Sequence, residues 1–205
     1  IIDFYMHPLT PLNRKNIKKN LLPHILMIII ITALGCHTKK NTTENLNRVC
    51  DTLRIATRYD KMSREGIPTF ITDSFTSQAA ETFSIESLRK DHSELLPLRK
   101  EPFRNIHDTT VIDTIYHFSG ARDTITFYSS RRKNFMIYLH LTSPELVLGS
   151  CIRPGMSRET FRSVFGISKP FEDAVQLANS DGTLRFIFYF EGDVLKSIKS
   201  DIYFG

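Results

Sequence analysis

Leu184-Arg185-Phe186-Ile187-Phe188-Tyr189-Phe190 is followed by Glu191-Gly192-Asp193 and then by Val194-Leu195-Lys196-Ser197-Ile198. Leu184, Phe186, Phe188 and Phe190 alternate with Arg185, Ile187 and Tyr189. That period of two puts four large apolar side chains on one side of a strand. A glycine-centred turn then sends the chain back through 194–204, the signature of an antiparallel hairpin. The same pattern recurs upstream. Segments 111–119 and 123–129 flank Gly120-Ala121-Arg122, and both open on Asp-Thr-Ile, at Asp113-Thr114-Ile115 and Asp123-Thr124-Ile125. Phe135, Ile137, Leu139 and Leu141 alternate with Met136, Tyr138 and His140, and Leu146, Leu148 and Ile152 extend the period onto a next strand. Residues 174–178 lead into the turn Asn179-Ser180-Asp181-Gly182. One apolar and one mixed face is what a sheet covered on one side by helices requires. The expected fold class is therefore α+β, with antiparallel β-hairpins forming a sheet and helices packed on one face.

Two stretches read as helix starts. Phe83-Ser84-Ile85-Glu86-Ser87-Leu88-Arg89 and Met156-Ser157-Arg158-Glu159-Thr160-Phe161-Arg162 share the pattern apolar, Ser, any, Glu, Ser/Thr, apolar, Arg. The serine hydroxyl caps an orphan amide, the glutamate favours the positive end of the helix dipole, and the flanking apolar pair stands at staple spacing. Gly166 is a natural left-handed stop for the second helix. Because each stretch precedes a run of strands, the likeness reads as a tandem helix-plus-strands repeat; shared capping chemistry is the alternative. Leu46, Val49, Leu53 and Ala56 form a helical stripe that predicts a helix over 45–62, ended by Gly66-Ile67-Pro68, with a short strand at Thr69-Phe70-Ile71-Thr72.

The front of the chain differs from the rest. Arg14, Lys15, Lys18 and Lys19 precede the uncharged stretch 21–34. Fourteen residues rise only about 21 Å as a helix, short of a roughly 30 Å hydrocarbon core. A short apolar region behind a basic one is the pattern of a secretory signal. It ends in Ala33-Leu34-Gly35-Cys36, which resembles a bacterial lipobox, in which a small residue precedes a cysteine that becomes lipidated. The expected organisation is a lipoprotein signal peptide over 1–35, lipidated Cys36 with a flexible tether to residue 44, and an α+β body over 45–205. The body is either one core or two halves at 45–105 and 106–205. In surface-exported lipoproteins of Bacteroidetes-type bacteria, acidic residues follow the cysteine. His37-Thr38-Lys39-Lys40 is basic, so the resemblance implies a bacterial cell-envelope protein anchored in the outer membrane and facing the periplasm.

The overall charge of +5 misleads, because the leader holds four of the 27 bases and one of the 22 acids, leaving residues 36–205 near neutrality at +2. A balanced body lacks the clustered excess charge of a nucleic-acid footprint. With Cys36 acylated, Cys50 and Cys151 remain in an oxidising compartment. They either bridge, closing a loop of about 100 residues, or pack separately as small apolar thiols.

The stretch Ile152-Arg153-Pro154-Gly155-Met156-Ser157-Arg158-Glu159-Thr160-Phe161 resembles the GMS/T-x-E-x-hydrophobic helix opening of the SmpA/OmlA small envelope lipoproteins. That family belongs to the outer-membrane barrel-assembly machine and shares a beta-lactamase-inhibitor-like fold. Gly166-Ile167-Ser168-Lys169-Pro170 only approximates the Gly-x-Pro that follows the helix there. The layout of lipobox, tether, helix and hairpins also resembles uncharacterised Bacteroidetes-type lipoproteins. The resemblance implies scaffolding or inhibition through a sheet surface rather than catalysis.

HExxH, GxSxG, GxxxxGK[ST] and GxGxxG do not occur in the sequence. Asp113 and His117 share a strand face but stand about 13 Å apart, too far for a shared metal. Asp113 and Asp123 either flank a cation or simply start strands after turns. The candidate contact residues are Tyr116, Tyr128, Tyr138, Tyr189 and Tyr203, because tyrosine offers large area with a polar tip. The basic turn Arg131-Arg132-Lys133 suits anionic headgroups or an acidic partner. The sequence thus points to a lipid-anchored, non-catalytic protein-binding or scaffold module without a cofactor. Its partners are the membrane and an unidentified envelope protein, not nucleic acid. A binding module for a small envelope ligand, a lipid or glycan fragment, and a hydrolase of unrecognised type are the alternatives.

Overall fold

The structure is a computed structural model that describes residues 49–202 apart from 51, 64 and 106. These residues lie in one compact unit, Leu46–Gly205. Cys36, its tether, the apolar leader and Tyr203 lie outside the described residues.

Among the described residues, nine strands and three helices with fully described bounds follow one another. They are β1 (Arg58–Met62), β2 (Pro68–Ile71), α1 (Asp73–Glu81), α2 (Ile85–Asp91), β3 (Leu98–Arg104), β4 (Ile112–Ser119), β5 (Thr124–Ser129), β6 (Asn134–Leu141), α3 (Arg158–Phe165), β7 (Ala174–Ala178), β8 (Arg185–Glu191) and β9 (Val194–Asp201). Among the described residues they make one sheet in the order β1-β2-β7-β8-β9-β6-β5-β4-β3. Every neighbouring pair is antiparallel except β2–β7. The fold is mixed α+β, and the sheet dominates it. β3 and β4, on either side of residue 105, pair through seven registered positions. Helix α2 is followed by the meander β3-β4-β5-β6, and α3 by the meander β7-β8-β9. The two meanders join where β9 pairs with β6.

The alternation read from 184–190 places Phe186, Phe188 and Phe190 in the core. Helix α1 lays Phe75 against Phe186 and Phe188, and α3 lays Phe161 against Phe188 and Phe190. The core row continues through the register Leu177–Phe186–Ser200–Leu139–Ile125–Phe118. Five of these six side chains are apolar and essentially unexposed.

Both helix starts form as capped. The Ser84 hydroxyl accepts from the Ser87 amide, and the Ser87 hydroxyl closes the box on the Ser84 amide. The Ser157 hydroxyl accepts from the Thr160 amide, and Gly166 ends α3 at φ 58°, where a Cβ would be strained. Gly120 answers a different need: a Cβ there would sit 2.2 Å from the Leu95 carbonyl oxygen.

Two local expectations are corrected. The helix predicted over 45–62 does not reach residues 58–62, which form strand β1 against β2. Residues 53–57 are pinned outside any helix, because the Ile55 amide donates to the Val164 carbonyl and the Thr57 hydroxyl to the Phe165 carbonyl at the end of α3. Leu146, Leu148 and Ile152 do not form a strand. Leu148 and Ile152 bond to each other across a tight turn, and all three face the core from a loop.

Cys50 and Cys151 are joined by a disulfide across 101 residues of sequence, with Cα atoms 5.6 Å apart. Both are buried. The neighbouring loop is tied to α1: the Gly149 amide donates to the Thr82 hydroxyl and the Gln78 side-chain amide to the Ser150 hydroxyl.

Candidate interaction surface

Strand alternation that sends Phe186 and Phe188 inward sends Arg185, Ile187 and Tyr189 to the second face of the sheet. The register carries that face across five strands as Gln176–Ile187–Lys199–His140–Thr124. Tyr189 pairs with Ser197, and Tyr138 pairs with Asp201. Tyr189 and Tyr138 therefore stand on the strands either side of β9, two residues before and two residues after Lys199. Tyr138 is 37% exposed, Tyr189 is half-buried, and Lys199 is exposed. The Lys199 ammonium lies 5.3 Å from the Tyr189 ring centroid, within cation–π range. Burial and the Lys199 charge beside it hold the His140 pKa below the ordinary histidine value, against a smaller opposing pull from Asp123.

Of the other described tyrosines, Tyr128 shares this face, four residues along β5 from Thr124, and Tyr116 does not. Tyr116 shares the side of β4 that carries Phe118, and packs against the core with Lys100 over its ring. Tyr128 donates its hydroxyl to the Asp113 carboxylate. Asn105 donates its side-chain amide to that same oxygen at 2.7 Å and to the Tyr128 oxygen at 3.2 Å. The Asn105 side-chain oxygen Oδ1 accepts from the His107 and Asp108 amides. Hydrogen bonds from Tyr128 and Asn105 outweigh burial and hold the Asp113 pKa below the carboxylate norm. The bond to Asp113 in turn raises the Tyr128 pKa. This network was not legible in the sequence, because Asn105 lies in a loop with no pattern of its own.

Asp113 and Asp123 start strands at opposite ends of the β4–β5 hairpin. Asp123 accepts from the Thr142 and Ser143 amides at 2.6 and 3.0 Å and from both of their hydroxyls. Burial works to raise its pKa, and these four bonds together reverse the sign and lower it.

Arg131, Arg132 and Lys133 are exposed on the β5–β6 turn. The turn is closed by the Ser130 hydroxyl, which accepts from the Arg132 and Lys133 amides. Lys133 lies over the Phe135 ring. The arginines of α3 are committed to the fold. Arg158 donates to the carbonyls of Phe171, Glu172 and Gly192, and its guanidinium stacks on Phe171 and Phe190. Arg162 donates to the carbonyls of Ile167 and Ser168. They line a groove beside α3, but their donors already serve backbone oxygens.

A smaller cavity of about 260 Å³ is lined by Pro97, Leu98, Arg99, His117 and Ser119. His117 Nε2 and Arg99 both face the Glu101 carboxylate, at 3.5 and 3.3 Å. The His117 nitrogen is buried without a hydrogen-bond partner. Among the described residues no group of three or more His, Cys, Asp or Glu is placed to hold a metal ion. No helix among them is long and apolar enough to cross a membrane. No protein-family model, curated protein or solved structure matches the chain.

Proposed function

We propose that this chain is a cell-envelope lipoprotein, anchored through Cys36, whose body is a non-catalytic protein-binding or scaffold module. The observation that carries the reading is the second face of the sheet, where Tyr138 and Tyr189 flank Lys199. Aromatic side chains with polar tips around a central cation match the composition of protein-contact surfaces. On this reading the two helix-then-meander stretches are a duplicated unit whose helices cover one face and leave the other to a partner, as the SmpA/OmlA resemblance implies. The basic n-region, short apolar stretch and Gly35-Cys36 support export and lipidation to the periplasmic side of the outer membrane. The test is affinity capture from detergent-solubilised envelopes with the intact lipoprotein, comparing it with Tyr138→Ala/Tyr189→Ala. The expected result is a partner retained by the parent and lost at least tenfold by the variant. Equal recovery from both would refute the assignment of that face. Labelling with a radioactive fatty acid should mark the parent and not Cys36→Ser.

A second reading, a small envelope ligand such as a glycan fragment, is favoured by the cavity at His117. Its volume is below that of most ligand sites, so only a fragment of one sugar ring or less would fit.

A further inference from the structure

We infer that the end of the sheet formed by the β3–β4 and β5–β6 turns is a second membrane contact, one that touches an anionic bilayer surface directly. Two hairpin loops stand side by side there, residues 105–111 and 130–133. Ile112, at the start of β4, is 57% exposed, the most exposed large apolar side chain among the described residues; Phe103, on the opposite face of the same hairpin with its ring against Tyr128, is 37% exposed. Around them stand Arg104, Arg131, Arg132 and Lys133, all exposed. Arg104 is the registered partner of Ile112. Asp108 and the buried Asp113 are the acids of this end, and the charge of Arg131 reaches both.

The charge complementarity is that of a headgroup layer. Apolar side chains at a protruding tip enter the boundary between headgroups and acyl chains, while a ring of arginine and lysine meets the phosphates. The Asn105–Asp113–Tyr128 network gives the tip its rigidity. It fastens the 105–111 loop to β5, the strand that leads into the 130–133 turn, so both loops are presented together. An acidic protein would use the cations but gives no reason for Ile112 to stand exposed among them. This contact goes beyond the proposed anchor and does not depend on the partner face at Tyr138 and Tyr189.

The sequence contains no tryptophan, so a single Ile112→Trp substitution in the full chain reports on the tip alone, whatever else holds the chain to a vesicle. Its emission is read with phosphatidylglycerol/phosphatidylethanolamine vesicles and with pure phosphatidylcholine vesicles. The expected result is a blue shift, with quenching by brominated acyl chains, on the anionic vesicles only. In the Arg132→Gln/Lys133→Gln background the tip's contact equilibrium should fall roughly thirtyfold, about fivefold per cation. It should also weaken steeply at 1 M salt. A tryptophan that stays water-exposed while the chain sediments with anionic vesicles overturns the proposal. So does a shift that is equal on neutral vesicles and indifferent to the glutamine pair. A response to polyglutamate but not to vesicles would instead assign the tip to an acidic protein. Phe103→Trp is the parallel reporter if Ile112→Trp lowers the melting temperature.

Discussion

At the residue scale, two side chains make pH predictions of definite sign. His140 is held neutral by burial and by Lys199. The unfolded chain protonates this histidine near pH 6.5 and the folded chain only lower. Between those values the unfolded state binds more protons, so stability falls as pH drops below about 6.5. His140→Gln should flatten the stability–pH curve in that interval, as measured by urea unfolding from pH 7.5 to 5, and the imidazole of the parent should titrate by NMR below the free value. Asp123 has the opposite protonation chemistry and a lower window. Its depressed pKa means that its contribution is complete above about pH 3.9 and is lost as pH falls through the folded value. Asp123→Asn should destabilise by roughly 1–3 kcal/mol at pH 7, because the Thr142 and Ser143 donors lose a charged acceptor. The gap to the parent should narrow on acidification. An unchanged gap at pH 3 would show that the carboxylate charge is irrelevant.

At the element scale, α3 is where sequence pattern and tertiary structure agree most closely. Its cap, its apolar face and its glycine stop could all be read from the order Ser157, Phe161, Val164, Phe165, Gly166, because each answers to local backbone chemistry. Phe161 touches Phe165, Phe171, Phe188 and Phe190 and is unexposed. Phe161→Ala should therefore cost about 3–5 kcal/mol in chemical unfolding, and Ser157→Ala about 1 kcal/mol. Gly120→Ala should lose about 1–3 kcal/mol, since the added Cβ would lie 2.2 Å from the Leu95 carbonyl oxygen and one of the two backbone segments must shift. Elements at the margins were illegible for physical reasons. Strand β1 is exposed at every position, so it carries no alternation. Strand β3 is an edge, where Pro102 is tolerated and nearly every side chain faces water. Helix α1 buries Phe75, Thr76 and Ala79, a stripe too mixed to stand out from its sequence. The parallel β2–β7 pair joins residues more than a hundred positions apart, and nothing in either short segment announces the other.

At the scale of the whole molecule, the candidate surfaces were only half readable. Register puts Tyr128, Tyr138 and Tyr189 on a common face and turns Tyr116 to the core side, and the Asn105–Asp113 network then engages the Tyr128 hydroxyl; a single strand's pattern encodes neither. The Cys50–Cys151 bridge is likewise a property of the assembled fold. Its removal by Cys50→Ser/Cys151→Ser should lower stability by about 2–4 kcal/mol, because the open chain regains the freedom of a very long loop. Denaturant titration of the double variant, with an unchanged slope, would establish this. A variant as stable as the parent would place the stabilisation in packing alone.

The same bridge governs how the molecule answers to being pulled. Strand β1 is an outermost strand of the sheet, and tension drawn through the residues ahead of it would ordinarily peel it away first. Tension that enters at Cys50 instead passes straight to Cys151, and the 101 residues of separation between them are shunted out of the load path. Stretched from both ends, the oxidised chain should lengthen by roughly 350 Å less than the reduced one, leaving β1 to β6 slack while the last three strands bear the strain.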